Sequence, residues 1–152
     1  MAIVEGRSDL IGNYIAGVAT PDPEQARARI VMMNGTLTHA ATDSDESKWL
    51  LAELPSTCIL GDRTVFKVDG LGLATVNIGT HDDIDALITI AKSSGNEVKP
   101  IVFGDSNHAK RLWEVLGLSK DPGGMIGLYL HASANATGAG TMPFRIEYYF
   151  RN

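Results

Sequence analysis

The sequence predicts a mainly β protein, an antiparallel jelly-roll-like β-sandwich with one or two short helices and an extended N-terminal arm. Most segments after residue 25 repeat their apolar residues with a period of two, which is typical of half-buried strands. Turn signals separate about eight or nine such segments, the spacing expected of a sandwich or barrel. Only one segment has a clear helical pattern. The chain has 152 residues, enough for one domain with a single core.

Composition excludes several classes of protein. The formal net charge is −5, and the 13 Lys and Arg residues are scattered, so a nucleic-acid partner is not expected. No apolar run approaches the length of a membrane span, and charged residues interrupt the start of the chain where a signal peptide would be apolar. We therefore expect synthesis in the cytoplasm and no membrane partner. The lone Cys58 is expected to be a small buried hydrophobe.

Residues 1–25 are predicted to form the extended arm, and residues 26–152 the jelly-roll-like domain. The arm has no steady period and ends in Pro21-Asp22-Pro23, which favours an extended chain. Large apolar residues in the arm are candidates for contact with another subunit. They are Ile3, Leu10, Ile11, Tyr14 and Ile15. Two alternatives stay open, a flexible tail and a strand packed on its own domain.

The domain begins with a predicted strand at "ARARIVMM", and Asn34-Gly35 predicts a hairpin turn from which "TLTHAAT" returns. Strands are also predicted at "KWLLAEL", "TVFKV" and "EVKPIVF", the last near a sheet edge because of Pro100. For residues 82–93 a helix and a strand both fit, and we favour a short helix because Ile84, Leu87 and Ile88 have helical spacing.

The clear helix is "DSNHAKRLWEVLGL", with Asp105 or Ser106 as its N-terminal cap and Gly117 as its left-handed C-terminal cap. Its predicted apolar stripe consists of Ala109, Leu112, Trp113 and Leu116. After the turn "DPGG", strands are predicted at "MIGLYLHAS" and "TMPFRIEYYFRN". In the last strand, Phe144, Ile146, Tyr148 and Phe150 alternate with Arg145, Glu147, Tyr149 and Arg151.

The segment "VDGLGLATVNIGT" contains Gly70-x-Gly72, which superficially suggests a dinucleotide site. That motif requires a third glycine or alanine, but Thr75 holds this position, and the following residues alternate as a strand would. We therefore expect the glycines to turn the chain between two core strands.

The sequence has no other pattern that indicates catalysis or a cofactor. The four histidines are far apart, and none has the paired spacing of a metal site. The loop "DSDES" lacks the glycine and the glutamate of an EF-hand. We find no nucleophile elbow, Walker loop or H-E-x-x-H. We therefore expect no enzyme activity, no cofactor and no metal.

Residues 26–90 resemble the small head proteins of tailed bacteriophages. The resemblance rests on "ARIVMMNGTLTHAATD", on "LAELPSTCIL" leading into a strand, on the D-x-LG-x-ATxxIG pattern of "DGLGLATVNIG", and on the aspartate-rich "HDDID". It implies a capsid decoration, or cement, protein with a jelly-roll body outside the shell and an arm across neighbouring capsomers. It also implies trimers, with the major capsid protein as partner and the virion surface as location. No catalytic residues come with it.

Two other functions are hypotheses at this point. A carbohydrate- or receptor-binding β-sandwich module would expose aromatic rings, for which Trp49, Tyr129 and Tyr149 are the candidates. A jelly-roll enzyme of the cupin kind would require a bound metal.

Overall fold

Alternating apolar residues build two β-sheets. The computed structural model describes residues 1–8, 11, 30–92 and 97–150. In chain order the strands are β1 Glu5–Arg7, β2 Val31–His39, β3 Lys48–Pro55, β4 Ile59–Leu60, β5 Val65–Lys67, β6 Thr75–Gly79, β7 Ile88–Ala91, β8 Glu97–Val98, β9 Met125–His131 and β10 Gly140–Tyr149. A helix, α1, spans Leu112–Val115 between β8 and β9.

The strands divide into two five-stranded sheets. The first sheet has the order β1-β3-β9-β6-β7, and its strands are antiparallel except that β1 runs parallel to β3. The second sheet has the order β2-β10-β5-β8, with β4 also paired to β10. The mainly β prediction is confirmed, and two sheets are consistent with a sandwich. The jelly-roll connectivity stays a prediction.

One apolar core receives side chains from both sheets. Trp49 and Leu128 from the first sheet and Phe66 and Ile146 from the second belong to the same buried cluster. Each side chain of this size contributes about 1.5–3 kcal/mol by leaving water. The apolar faces of the two sheets are therefore the main source of stability.

The last strand has the predicted alternation. Phe144, Ile146 and Tyr148 are buried, whereas Arg145 is exposed. Glu147 departs from the pattern, since its side chain is only 8% exposed. It packs over Gly61, where an added Cβ would overlap the carboxylate.

The hairpin predicted at Asn34-Gly35 is wrong. Strand β2 continues through both residues, and Asn34 and Gly35 lie opposite Arg145 and Phe144 of β10. The apolar alternation continues on both sides of the pair, because Val31 and Leu37 are both buried on the same face. Pairing along β10 thus prevails over the local turn preference.

The helix favoured for residues 82–93 is also wrong. Residues 88–91 form β7, antiparallel to β6, with Ile88 opposite Ile78 and Ile90 opposite Val76. The β-branched residues of this short run pack well on a sheet, and the aspartates before it lie in a loop. Ile84 is exposed, so the expected helical stripe does not form.

The helix predicted from residue 105 begins later, at Leu112, and residues 105–109 form turns. Asp105 instead accepts hydrogen bonds from the amides of Val102 and Asn107. The predicted C-terminal cap is present, because Gly117 has a φ of +76° and the Leu118 amide bonds to the Trp113 carbonyl at 3.1 Å. Strand β8 lies at a sheet edge, as predicted, and ends before Pro100.

The segment around Gly70 and Gly72 crosses from one sheet to the other. Asp69-Gly70 forms the predicted turn, and β5 and β6, on either side of it, belong to different sheets. The Gly72 amide donates to His39 Nε2 at 3.0 Å, and its carbonyl accepts from the Thr137 amide at 2.8 Å. The backbone amide and carbonyl of Gly72 are thus both hydrogen-bonded within the protein, as expected for a structural turn.

Candidate functional site

The start of the chain is attached to the first sheet. Strand β1 pairs with the beginning of β3, and the Ser8 amide extends this pairing by donating to the Leu50 carbonyl at 2.7 Å. Residues 5–7 of the predicted arm are therefore a strand on their own domain, one of the alternatives left open by the sequence.

The apolar residues predicted as arm contacts differ in their exposure. Ile3 is 61% exposed, whereas Ile11 is buried. Leu10, Tyr14 and Ile15 lie outside the described residues. Of the predicted contacts, Ile3 is the one that the described structure leaves open to a partner.

The aromatic candidates for carbohydrate binding also differ. Trp49 is 2% exposed and packs beside His39, with ring centroids 5.6 Å apart. It is therefore a core residue. Tyr129 and Tyr149 are half-buried, so of the three candidates these two lie partly at the surface.

A row of polar residues crosses the outer face of the first sheet. In register order it contains Glu5, Lys48, His131, Asn77 and Thr89, one from each strand. The neighbours of Asn77 in β6 point into the core, so Asn77 points outward. Lys48 Nζ lies 3.6 Å from Glu5 Oε1, and Thr89 donates to Asn77 Oδ1 at 2.9 Å. We call these five residues the polar row.

Asn77 is the least satisfied member of the polar row. It is 4% exposed, and its Nδ2 has no hydrogen-bond partner among the described residues. A buried amide without a partner costs about 1–3 kcal/mol.

His131 lies in the middle of the polar row. It is 4% exposed, and its Nε2 lies 2.7 Å from the Thr80 carbonyl oxygen. Because a carbonyl only accepts, Nε2 carries the hydrogen. Burial lowers the pKa of His131 below its ordinary value of 6.5, and nearby Lys48 acts in the same direction. The neutral imidazole is therefore favoured.

Tyr129 and His81 extend the site beside His131. The Tyr129 ring makes an edge contact with the His81 ring at 5.4 Å and lies 6.0 Å from the His131 ring. Burial, followed by the charge of Glu53, raises the pKa of Tyr129. Its hydroxyl is therefore protonated at neutral pH and remains a hydrogen-bond donor.

A cleft of about 380 Å³ opens next to this cluster. Its walls come from the loop before β3, the start of β3, the loop after β6 and the end of β9. The lining residues are Asp45, Glu46, Lys48, His81, Ile84, His131, Ala132 and Ser133. Side chains of both signs of charge are present beside the apolar Ile84 and Ala132.

The described residues offer no metal centre, because no three His, Cys, Asp or Glu side chains converge there. Burial raises the pKa of Cys58 from 9.0 to about 12, so its thiol stays protonated at neutral pH and is a poor nucleophile.

Sequence reasoning treated His81 and His131 as isolated residues and did not join them to Tyr129. One signal was present, since Tyr129 and His131 are two apart in a strand and so share its outer face. The position of His81 depends on the pairing of β6 with β9.

Together, the described residues define a mainly β protein of two five-stranded sheets with a polar cleft on the outer face of the first. No family model, curated protein or solved structure matches the chain. Within the described part of the chain, no helix is long and apolar enough to cross a membrane.

Proposed function

We propose that this chain is a structural virion protein that binds the outer surface of a phage capsid and stabilises the shell. The proposal also includes binding to other copies of itself as a trimer, synthesis in the bacterial cytoplasm and location on the capsid surface. It rests on the resemblance of residues 26–90 to small phage head proteins. The structural observation that carries it is the exposure of apolar side chains on an anchored chain start.

Met1 and Ile3 are 71% and 61% exposed, although the backbone around them is held in place. The Ser44 amide donates to the Ala2 carbonyl and the Lys48 amide to the Val4 carbonyl, both at 2.9 Å. A backbone held in this way loses little further conformational entropy when a partner binds. Such a preorganised apolar contact fits attachment to a large surface.

A decoration protein needs no catalytic group. It stabilises the assembled shell by binding to the shell and not to its free parts, and many copies multiply a modest affinity. A soluble exterior with a formal net charge of −5 suits a protein that covers a particle at high density.

The test is co-sedimentation of the purified protein with undecorated capsids of its phage. We expect binding at micromolar concentration and a loss of about tenfold or more for Ile3→Asp, because a charge cannot be buried in an apolar contact. Val102→Ser is the matched control, since Val102 is also exposed but lies in the loop before α1. Failure of the unmodified protein to sediment with capsids would reject the proposal.

A carbohydrate- or receptor-binding module is the second candidate. Its support is the half-buried Tyr129 ring, which adjoins the polar cleft through His81. Sugar rings stack on such aromatic faces while carboxylates hold the hydroxyls. Binding of soluble glycans that disappears in Tyr129→Ala, with Tyr149→Ala unchanged, would favour this candidate over the first.

A further inference from the structure

The loop of residues 80–87 folds back over the outer face of the first sheet. The Thr80 amide donates to the Asp83 carbonyl at 2.9 Å, and the Leu87 amide donates to the Ile78 carbonyl at 3.0 Å. Gly79 makes the close approach possible, because a Cβ there would overlap the Asp83 carbonyl oxygen. We call residues 80–87 the folded-back loop.

His131 joins the folded-back loop to the polar row. Its ring donates from Nε2 to the Thr80 carbonyl, and the same ring lines the cleft together with His81 and Ile84 of the loop. The loop therefore forms one wall of the cleft in which this buried imidazole lies.

Two basic residues are close to His131, one on each side. Lys48 is directly opposite in β3, and its side chain is largely buried. His81 approaches from the folded-back loop through Tyr129. Both lower the pKa of His131, because a second positive charge nearby is unfavourable.

Anions are also present around the ring. Asp83 lies in the folded-back loop and raises the pKa of His131, in opposition to Lys48 and His81. Asp45 and Glu46 line the cleft, and Glu5 is paired with Lys48. Asp82 is paired with His81 at 2.9 Å. Desolvation is the largest influence on the pKa of His131, so burial outweighs both the bond to the Thr80 carbonyl and these carboxylates.

We propose that His131 is a pH-sensitive contact, which in its neutral form keeps the folded-back loop closed and on protonation opens it. Protonation leaves the Nε2 donor in place, and the bond to the Thr80 carbonyl itself favours the charged ring, so this bond does not break. The cost arises because a charged ring must remain buried opposite Lys48. Movement of the loop away from the sheet lets water reach the ring and relieves this cost.

The direction with pH follows from the lowered pKa. The stabilisation of the closed loop is complete above the ordinary histidine value of 6.5 and is lost as the pH falls through the lower pKa of the closed state. Opening therefore belongs to mildly acidic solution. This inference does not depend on binding to a capsid.

The test is amide hydrogen exchange of the full chain, corrected for intrinsic rates, at about pH 7.5 and about pH 5. We expect the protection of the Thr80 and Leu87 amides to fall by about threefold or more at the lower pH, while amides between β3 and β9 keep theirs. In His131→Gln, whose amide can still donate to Thr80, we expect no such selective loss.

His108→Gln is the control, because His108 is half-buried in another loop and its ring makes a tilted contact with Phe103, with ring centroids 4.7 Å apart. This variant should keep the response of the unmodified chain. A response that survives in His131→Gln would overturn the proposal. If His131→Gln does not fold, the unmodified chain still tests the proposal. Equal protection of the folded-back loop at both pH values would overturn the proposal, and so would a measured pKa of His131 at or above its ordinary value of 6.5.

Discussion

Gly72 is required by a close approach between two stretches of backbone. A Cβ at this position would overlap the carbonyl oxygen of Gly138 and lie 2.6 Å from its carbonyl carbon. Backbone atoms cannot move away as the end of a long side chain can. The glycines that superficially resemble a phosphate loop are therefore explained by packing against residues 137–141.

We predict that Gly72→Ala lowers the free energy of unfolding by about 1–3 kcal/mol, the usual cost of an overpacked site. The clash also displaces the Thr137 amide from the Gly72 carbonyl. Urea unfolding followed by circular dichroism measures the change. Gly138→Ala is the matched control on the other side of the contact. Its Cβ would meet no atom within 4 Å, so we expect a change within about 0.5 kcal/mol. Equal losses in the two variants would contradict this account.

Strands were predictable from sequence where many side chains share one pattern. The alternation from Phe144 to Tyr148 identified β10 because every second residue enters the core. The predictions were wrong for Asn34-Gly35 and for residues 82–93. Their local turn and helix preferences are weaker than the pairing of β2 with β10 and of β7 with β6. Such pairing joins distant parts of the chain, so a local pattern does not contain it.

Strand β1 depends on a glycine at its centre. A Cβ on Gly6 would overlap Trp49 Cδ1 and lie 3.0 Å from Trp49 Nε1, and the buried Trp49 ring has little room to move. We predict that Gly6→Ala detaches β1 and lowers the free energy of unfolding by only about 1–2 kcal/mol, since the strand is short. The Val4 and Ser8 amides, bonded to Ser47 Oγ and the Leu50 carbonyl, should exchange about tenfold faster or more.

Glu5→Ala is the control for detachment of β1. It removes an ion pair with Lys48 in which the Glu5 side chain is exposed, so the pair contributes about 1 kcal/mol or less, and it leaves the backbone pairing intact. Its Val4 and Ser8 amides should keep their protection. Unchanged exchange in Gly6→Ala would show that Trp49 can move aside and that β1 does not depend on this glycine.

The candidate site was less predictable than the strands because it exists only in the assembled molecule. Thr80 and His131 are 51 residues apart in the chain, and they meet because β6 pairs with β9. The exposure of Ile3 likewise depends on the pairing of β1 with β3. Residue types alone identified neither the polar row nor the cleft.

The second sheet depends on the last strand to form. Strand β10 pairs with β2 on one side and with β4 and β5 on the other, so these strands have no common partner without it. We predict that a chain ending at residue 139 gives the circular dichroism spectrum of an unfolded protein. A chain beginning at residue 9 retains β10, and we expect it to fold with reduced stability.

A peptide of residues 140–152, added in excess to the chain that ends at residue 139, should restore its strand content, because binding to the folded form stabilises that form. A chain ending at residue 139 that unfolds cooperatively in urea would mean that β2, β4 and β5 find another arrangement, and that β10 adds to the sheet instead of organising it.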